Sequence, residues 1–289
     1  MCRKLVFLAT VAALGAVAAG AVAAPSATLP AGRAAQPAMA APTAPARAAR
    51  PAPPRKASPQ VRAEADRLDP LAQAAFWARE FDLDPADAEA GVKLAKALRA
   101  LQRYDEAAAA ADQVLVVQPK NLEALLESAR ARVAGNQGFY AIDGARRAQA
   151  LAPRDWRPVT LLALALEQSN RNDEALADLQ KALALAPDNP ATLTNLGMFY
   201  AAHGDGAQAE PLLRRAASLP GASAQERQNL ALVLGLEGRL DEAERLARDD
   251  LPPEAVENNL AYLRADAGPS SSRSWQALSA ASGQNPSPR

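Results

Sequence analysis

Cysteine, histidine and aromatic residues are nearly missing from this 289-residue chain, which has one Cys, one His and 4% Phe, Trp and Tyr together. Cys2 has no partner for a disulfide. Lying before the first apolar run, it supplies neither a metal site nor a nucleophile to the body of the protein. His203 stands beside Gly204 in a turn-like stretch, and without a second His or a Cys no metal-ligand spacing exists, so no metal is expected. Aromatic and β-branched runs are too few to suggest a sheet. Acidic residues are missing from one region only. Residues 1–63 carry 8 bases and no acid, which leaves 24 bases against 32 acids in the remainder, and 24 − 32 gives a net of −8. A body of that sign lacks the basic face that phosphate recognition needs, so nucleic acid is excluded as a ligand. The stretch GNQGFYAIDG at 135 has neither the spacing of a dinucleotide loop nor a strand before it, and no cofactor is expected. Carboxylates are plentiful but are expected on turns and outward faces. Paired acids that hydrolyse wall polymers would need a cleft-bearing domain of their own. The expectation is a protein that is no enzyme.

The N-terminus is organised by composition. Arg3 and Lys4 precede an apolar run from Leu5 to about Val22, closed by the small residues Ala21-Val22-Ala23. This is the layout of a secretory signal peptide over residues 1–23, with an uncleaved membrane anchor as the alternative. Either places the body outside the cytoplasm, and a cysteine-free mature chain must be held by packing alone. Residues 24–63 are dominated by Ala and Pro with scattered Arg and Lys, a composition that reads as a disordered, extended tether. Its bases either touch anionic head groups or an acidic partner, or serve only as a solvated spacer. Residues 267–289 read as a disordered tail, in which Trp275 is either a docking residue or incidental.

Between these ends the chain repeats. Pro85, Pro119, Pro153 and Pro187 are spaced by 34 residues. With repeats begun at Ala88, Leu122, Trp156, Pro190 and Ala224, the twentieth position is alanine five times: Ala107, Ala141, Ala175, Ala209 and Ala243. The eighth is Ala95, Ala129, Ala163, Gly197 and Ala231, and the seventh is leucine except for Ser128. Large at seven, small at eight and twenty, and proline after the second helix is the tetratricopeptide pattern. Small residues let antiparallel helices A and B approach closely, and proline stops helix B. The sequence therefore predicts an all-α, right-handed superhelix over residues 64–266, of about five repeats with degenerate caps. Residues 70–82 form the helix B of a leading repeat and 254–265 a closing helix.

Such arrays bind partners on an extended concave surface. The resemblance to tetratricopeptide proteins implies that helix A lines it and that an asparagine at the sixth position holds peptide backbone. Asn195 and Asn229 occupy that position, and Asn259 joins them if the last repeat is shortened to 30 residues. The three amides either form a ladder along a peptide or bond across neighbouring helices to hold the stack. The ninth position reads Lys96, Arg130, Leu164, Met198 and Leu232. With Arg99 and Arg157 nearby, it predicts a groove basic toward its N-terminal end and apolar toward its C-terminal end; ordinary variation on a solvated face is the other reading.

The stretch RQNLALVLGLEGRLDEAERLARDDLPPEAVENNLAYLRA at 227–265, with LAQAAFWAREFDLDPADAEAGVKLAKALRAL at 71–101, resembles the Flp pilus assembly proteins of the TadD type, over roughly residues 70–266. The resemblance implies a non-enzymatic scaffold, exported to the periplasm or outer membrane. It would support pilus assembly or secretin localisation by binding the pilus secretin or a neighbouring assembly subunit. Members of that family are often lipoproteins, and here no cysteine follows the apolar run. Membrane association would then come from the N-terminus or the basic linker. The alternative functions are a general periplasmic scaffold for cell-wall or division proteins and, further off, an enzyme acting on wall polymers.

Overall fold

The computed structural model describes residues 55–266 as an all-helical array. The helices are α1 (Pro59–Ala65), α2 (Pro70–Leu83), α3 (Ala88–Ala100), α4 (Tyr104–Val117), α5 (Leu122–Ala134), α6 (Gly138–Leu151), α7 (Trp156–Gln168), α8 (Asn172–Leu185), α9 (Pro190–Ala202), α10 (Gly206–Ser218), α11 (Ala224–Leu236), α12 (Leu240–Arg248) and α13 (Pro253–Asp266). Helices α3 to α12 are the A and B members of five repeats, each A helix starting on the residue expected from the 34-residue period. The signal segment 1–23, most of the expected linker and the tail 267–289 lie outside the described residues.

The two kinds of connection are built differently, and each follows from its residues. Every A helix from α3 to α9 starts on an Asp or Asn whose side chain accepts a hydrogen bond from a first-turn N–H: Asp87, Asn121, Asp155 and Asn189. The cap satisfies donors that a helix start leaves orphaned. Helix α11 uses Ser223 instead, with Glu226 closing a capping box. Each A helix ends in a left-handed residue at position fifteen: Gln102, Asn136, Asn170, Gly204 and Gly238, with φ between 56° and 84°. The next N–H donates back across the turn, as from Arg103 to Leu98 O at 2.9 Å and Arg171 to Leu166 O at 2.9 Å. This six-to-one bond satisfies helix-end carbonyls and turns the chain sharply into helix B.

Packing follows the small positions. Ala107, Ala163, Ala175 and Ala209 have no exposed surface, and Ala95, Ala129 and Ala141 are 1% exposed. At Gly197 a β-carbon would stand 2.8 Å from Leu213, so glycine there marks a close A to B approach. The largest core cluster runs from Leu125 and Leu126 of α5 through Leu162 and Leu166 of α7 and Leu179 of α8 to Phe199 of α9. A second continues from Leu213 to Leu230 and Leu234. Each A helix from α3 onward also packs on the A helix of the next repeat, which makes the A helices one inner row, the row that lines the binding surface in superhelical arrays.

At the N-terminal end the structure differs from the sequence reading. The expected linker boundary at residue 63 falls inside α1, and the chain is tied to the array from Lys56 onward. Lys56 Nζ reaches Asp84 at 2.5 Å and Asp87 at 3.1 Å, and the Ala57 N–H donates to both oxygens of buried Glu80 at 3.1 Å. Helix α1 is thus a shortened helix A for α2. Its Arg62 lies 5.0 Å from the buried Trp77 ring, which Lys93 approaches at 4.5 Å. These cations cover the first repeat as a cap must. At the other end α13 closes the array with Val256, Leu260 and Leu263 buried. Among the described residues no helix is long and apolar enough to cross a membrane.

Candidate functional site

The inner row of A helices carries every residue that the sequence nominated. Lys96 and Arg99 sit on α3, Arg130 on α5, Arg157 and Leu164 on α7, Asn195 and Met198 on α9, Asn229 and Leu232 on α11, and Asn259 on α13. The repeat places equivalent positions on the same face of successive helices, so one row spans the array.

The N-terminal half of that row is not the free basic face expected from sequence. Glu127 on α5 is 1% exposed and accepts from Arg99 Nε at 3.1 Å and from Arg130 Nη1 at 2.5 Å. Glu123, one turn earlier, accepts from Arg157 Nη1 at 3.0 Å and stands 3.9 Å from Lys96 Nζ. Arg157 also holds the cap residue Asp155 at 2.6 Å. Burial works against the Asp155 carboxylate, but the Arg157 guanidinium and backbone N–H outweigh it and hold the group below the usual carboxylate range. Four bases meet three acids, 4 − 3 = +1, so the expected basic surface is a nearly neutral lattice of paired charges that ties α3, α5 and α7 together. Two carboxylates depart from the expectation that such groups fall largely on turns and outward faces: Glu127 and Glu80 are buried, each accepting hydrogen bonds from its neighbours.

The C-terminal half has the opposite character. Leu164, Met198 and Leu232 are half-buried along successive helices, where a partner would complete their burial. The Asn195 side chain makes no hydrogen bond among the described residues, nor does that of exposed Asn259. Asn229 accepts from Gln225 Nε2 of its own helix at 3.1 Å. None of the three side chains bonds to a neighbouring helix among the described residues.

Sequence reasoning missed three features of this face. Thr160 and Thr194, both at position five, are 4% and 7% exposed, and their hydroxyls have no partner. Their recurrence at one repeat position was the available signal. Glu167 on α7 is half-buried, and loss of solvent pushes its carboxyl above the usual range, with the charge of His203 across the α7–α9 seam opposing the rise only in part. His203 itself ends α9, stacked 4.1 Å from the Phe199 ring with Nδ1 at 2.7 Å from the Phe199 carbonyl. It is a packed turn residue. Among the described residues no three His, Cys, Asp or Glu side chains gather as a metal site would require.

The family model for the tetratricopeptide repeat matches residues 166–219. No curated protein matches the sequence. Among solved structures, TTC0263, a thermophilic tetratricopeptide protein of Thermus thermophilus, is 25% identical, with 62% of this chain and 99% of that one covered and a TM-score of 0.56. A tetratricopeptide protein from Parabacteroides merdae shares the fold at 11% identity, with 71% and 80% covered and a TM-score of 0.59. The 34-residue period, the five repeated turns and these likenesses agree that the chain has the tetratricopeptide-repeat fold.

Proposed function

We propose that this chain is a non-enzymatic scaffold of the bacterial envelope, which supports assembly of a Flp/Tad-type pilus or localisation of its secretin by holding a partner segment along the inner row of A helices. Tetratricopeptide arrays present such surfaces to protein segments. The observation that carries the reading is the pairing of unengaged amides, Asn195 and Asn259, with the half-buried apolar residues Leu164, Met198 and Leu232 on the same row. Amides bond to the main chain of an extended segment, and the apolar residues take its side chains. Because the cations of the N-terminal half are already paired, the segment is recognised by backbone and apolar contact rather than by charge. The envelope assignment rests on the N-terminal composition and the resemblance to TadD-type proteins.

The test uses full-length protein immobilised against an envelope extract of the source cells, beside a variant with Asn195, Asn229 and Asn259 changed to alanine and a second with Met198 and Leu232 changed to alanine. Retention of secretin or a neighbouring pilus subunit by the native chain and its loss by folded variants is the expected result. Equal retention by all three removes the groove from the mechanism. Capture of wall or division proteins alone replaces the pilus assignment with a general envelope scaffold.

A further inference from the structure

The repeat makes departures visible, and one of them stands in the open. The eighteenth and nineteenth positions, in the first turn of helix B, are Asp105-Glu106, Asp173-Glu174 and Asp241-Glu242 in repeats one, three and five. Acids there complement the positive helix N-terminus. In each case the Glu also pairs with an arginine at the N-cap: Arg103 to Glu106 at 2.5 Å, Arg171 to Glu174 at 2.7 Å, and Arg239 to Glu242. Repeat two breaks the pattern. Its N-cap is Gln137, and Phe139 and Tyr140 stand where the acids should be.

These two rings are 74% and 70% exposed and pack edge to face at 5.6 Å between centroids. They are the most exposed aromatic side chains among the described residues, in a chain with few aromatics. Neither contributes to the core, and acids at these sites would serve the helix better. The rings therefore offer contact area to something outside the array. Beside them a cleft of about 220 Å³ runs between the turns of repeats one and two, lined by Arg103, Asp105, Glu106 and Gln137 among others, with Gln137 Nε2 held by Asp105 at 2.7 Å. On the other side stand Arg171, Asp173 and Glu174. Four acids and three bases surround the rings, 3 − 4 = −1, counting Arg146, whose charge reaches Glu174; Arg147 is paired with Asp143 of its own helix.

We infer that the helix A to B turn of repeat two is a second interaction surface, separate from the inner row, which takes a basic segment of a partner protein by stacking Arg or Lys on Phe139 and Tyr140. Aromatic faces are negative and attract cations, and the aliphatic stems of Arg and Lys cover ring area. The flanking acids supply the complementary field and orient the segment, and they do not depend on the amides of the inner row.

Repeat four provides the control, since its equivalent residues are Ala207 and Gln208. The double variant Phe139→Ala with Tyr140→Gln copies a turn that already folds in this protein and changes no charge. The probe is a fluorescein-labelled, end-capped decapeptide of alternating Arg and Ala, titrated by anisotropy into full-length protein; an alternating Glu and Ala peptide is the comparison. The native chain is expected to bind the Arg peptide about tenfold more tightly than the variant, more weakly as salt rises, and to leave the Glu peptide unbound. Equal melting curves establish that both fold. Equal affinity of variant and native for the Arg peptide, binding of the Glu peptide, or no binding to the native chain at millimolar peptide overturns the inference. A native dimer that the variant dissolves, seen by sedimentation velocity, also overturns it and assigns the rings to a second copy of the chain.

Discussion

Gln102 is a useful place to test how closely residue identity follows backbone demand. Its φ of 60° is shared by the equivalent Asn136, Asn170, Gly204 and Gly238, which are glycine or the side chain best suited to that region. Glutamine is neither, so Gln102→Gly is expected to stabilise the array by about 0.5–1 kcal/mol, the relieved strain exceeding the added freedom of the unfolded chain. Gly238→Gln should cost a similar amount, since a β-carbon there meets nothing within 4 Å and only conformation is at stake. Urea unfolding of the two variants checks the opposite signs. Glu127 tests the paired lattice. Glu127→Ala leaves Arg99 and Arg130 facing each other without their shared carboxylate, a loss of about 1–3 kcal/mol given that both arginines are partly exposed. The same variant should gain affinity for an acidic peptide that the native groove does not hold. The asparagine and aspartate caps act locally, each within the first turn that follows it. The lattice was not legible in the sequence, because its partners come from other repeats: Arg157 and Glu123 are 34 residues apart and share position two. Reading the acids with the same period as the apolar positions would have paired them.

At the scale of the helix pair, the small positions were the most legible part of the fold, and they make the sharpest prediction. Ala163 on α7 has no exposed surface, at the position where α7 and α8 approach. Ala163→Leu should cost about 1–3 kcal/mol by overpacking, read as a lower urea midpoint, whereas Phe139→Ala on exposed α6 surface should leave the midpoint unchanged. The short helix α1 was not legible, because Ser58-Pro59 lies within an Ala- and Pro-rich composition. Its order comes instead from distant carboxylates, Glu80, Asp84 and Asp87. The α7–α9 seam adds a dependence on pH through Glu167, whose carboxyl is raised by burial against the lowering charge of His203. An acid raised in the folded state binds protons there more readily than in the unfolded chain. Its penalty is therefore absent below the ordinary glutamate pKa and grows as pH rises through that value to the raised one. Glu167→Gln should stabilise the array at neutral pH, and the gain should vanish in acid; thermal melts at pH 7 and pH 4 separate this from a pH-independent packing change.

For the array as a whole, stability is expected to distribute as in any solenoid, where each repeat is held mainly by its neighbours. The core cluster around Leu125, Leu162, Leu166 and Leu179 joins α5 to α9 and has partners on both sides. The closing cluster of Ala247, Val256 and Leu260 has partners on one side only. Truncating a buried leucine in either costs about 2–5 kcal/mol locally, but the consequences should differ. Leu166→Ala removes a side chain that is 1% exposed at the centre, so the main unfolding transition should fall and amide exchange should quicken throughout α5 to α9. Leu260→Ala should leave that transition in place and open only α11 to α13, which includes the contact where Leu263 lies against Gly235. Because Asn229, Leu232 and Asn259 stand on that terminal unit while Leu164 and Asn195 stand on the central one, local opening at the end removes part of the inner row without unfolding the rest. Hydrogen exchange on the two variants decides the matter: identical exchange patterns would mean that the array unfolds as one cooperative block, and the inner row could then not be weakened from its C-terminal end alone.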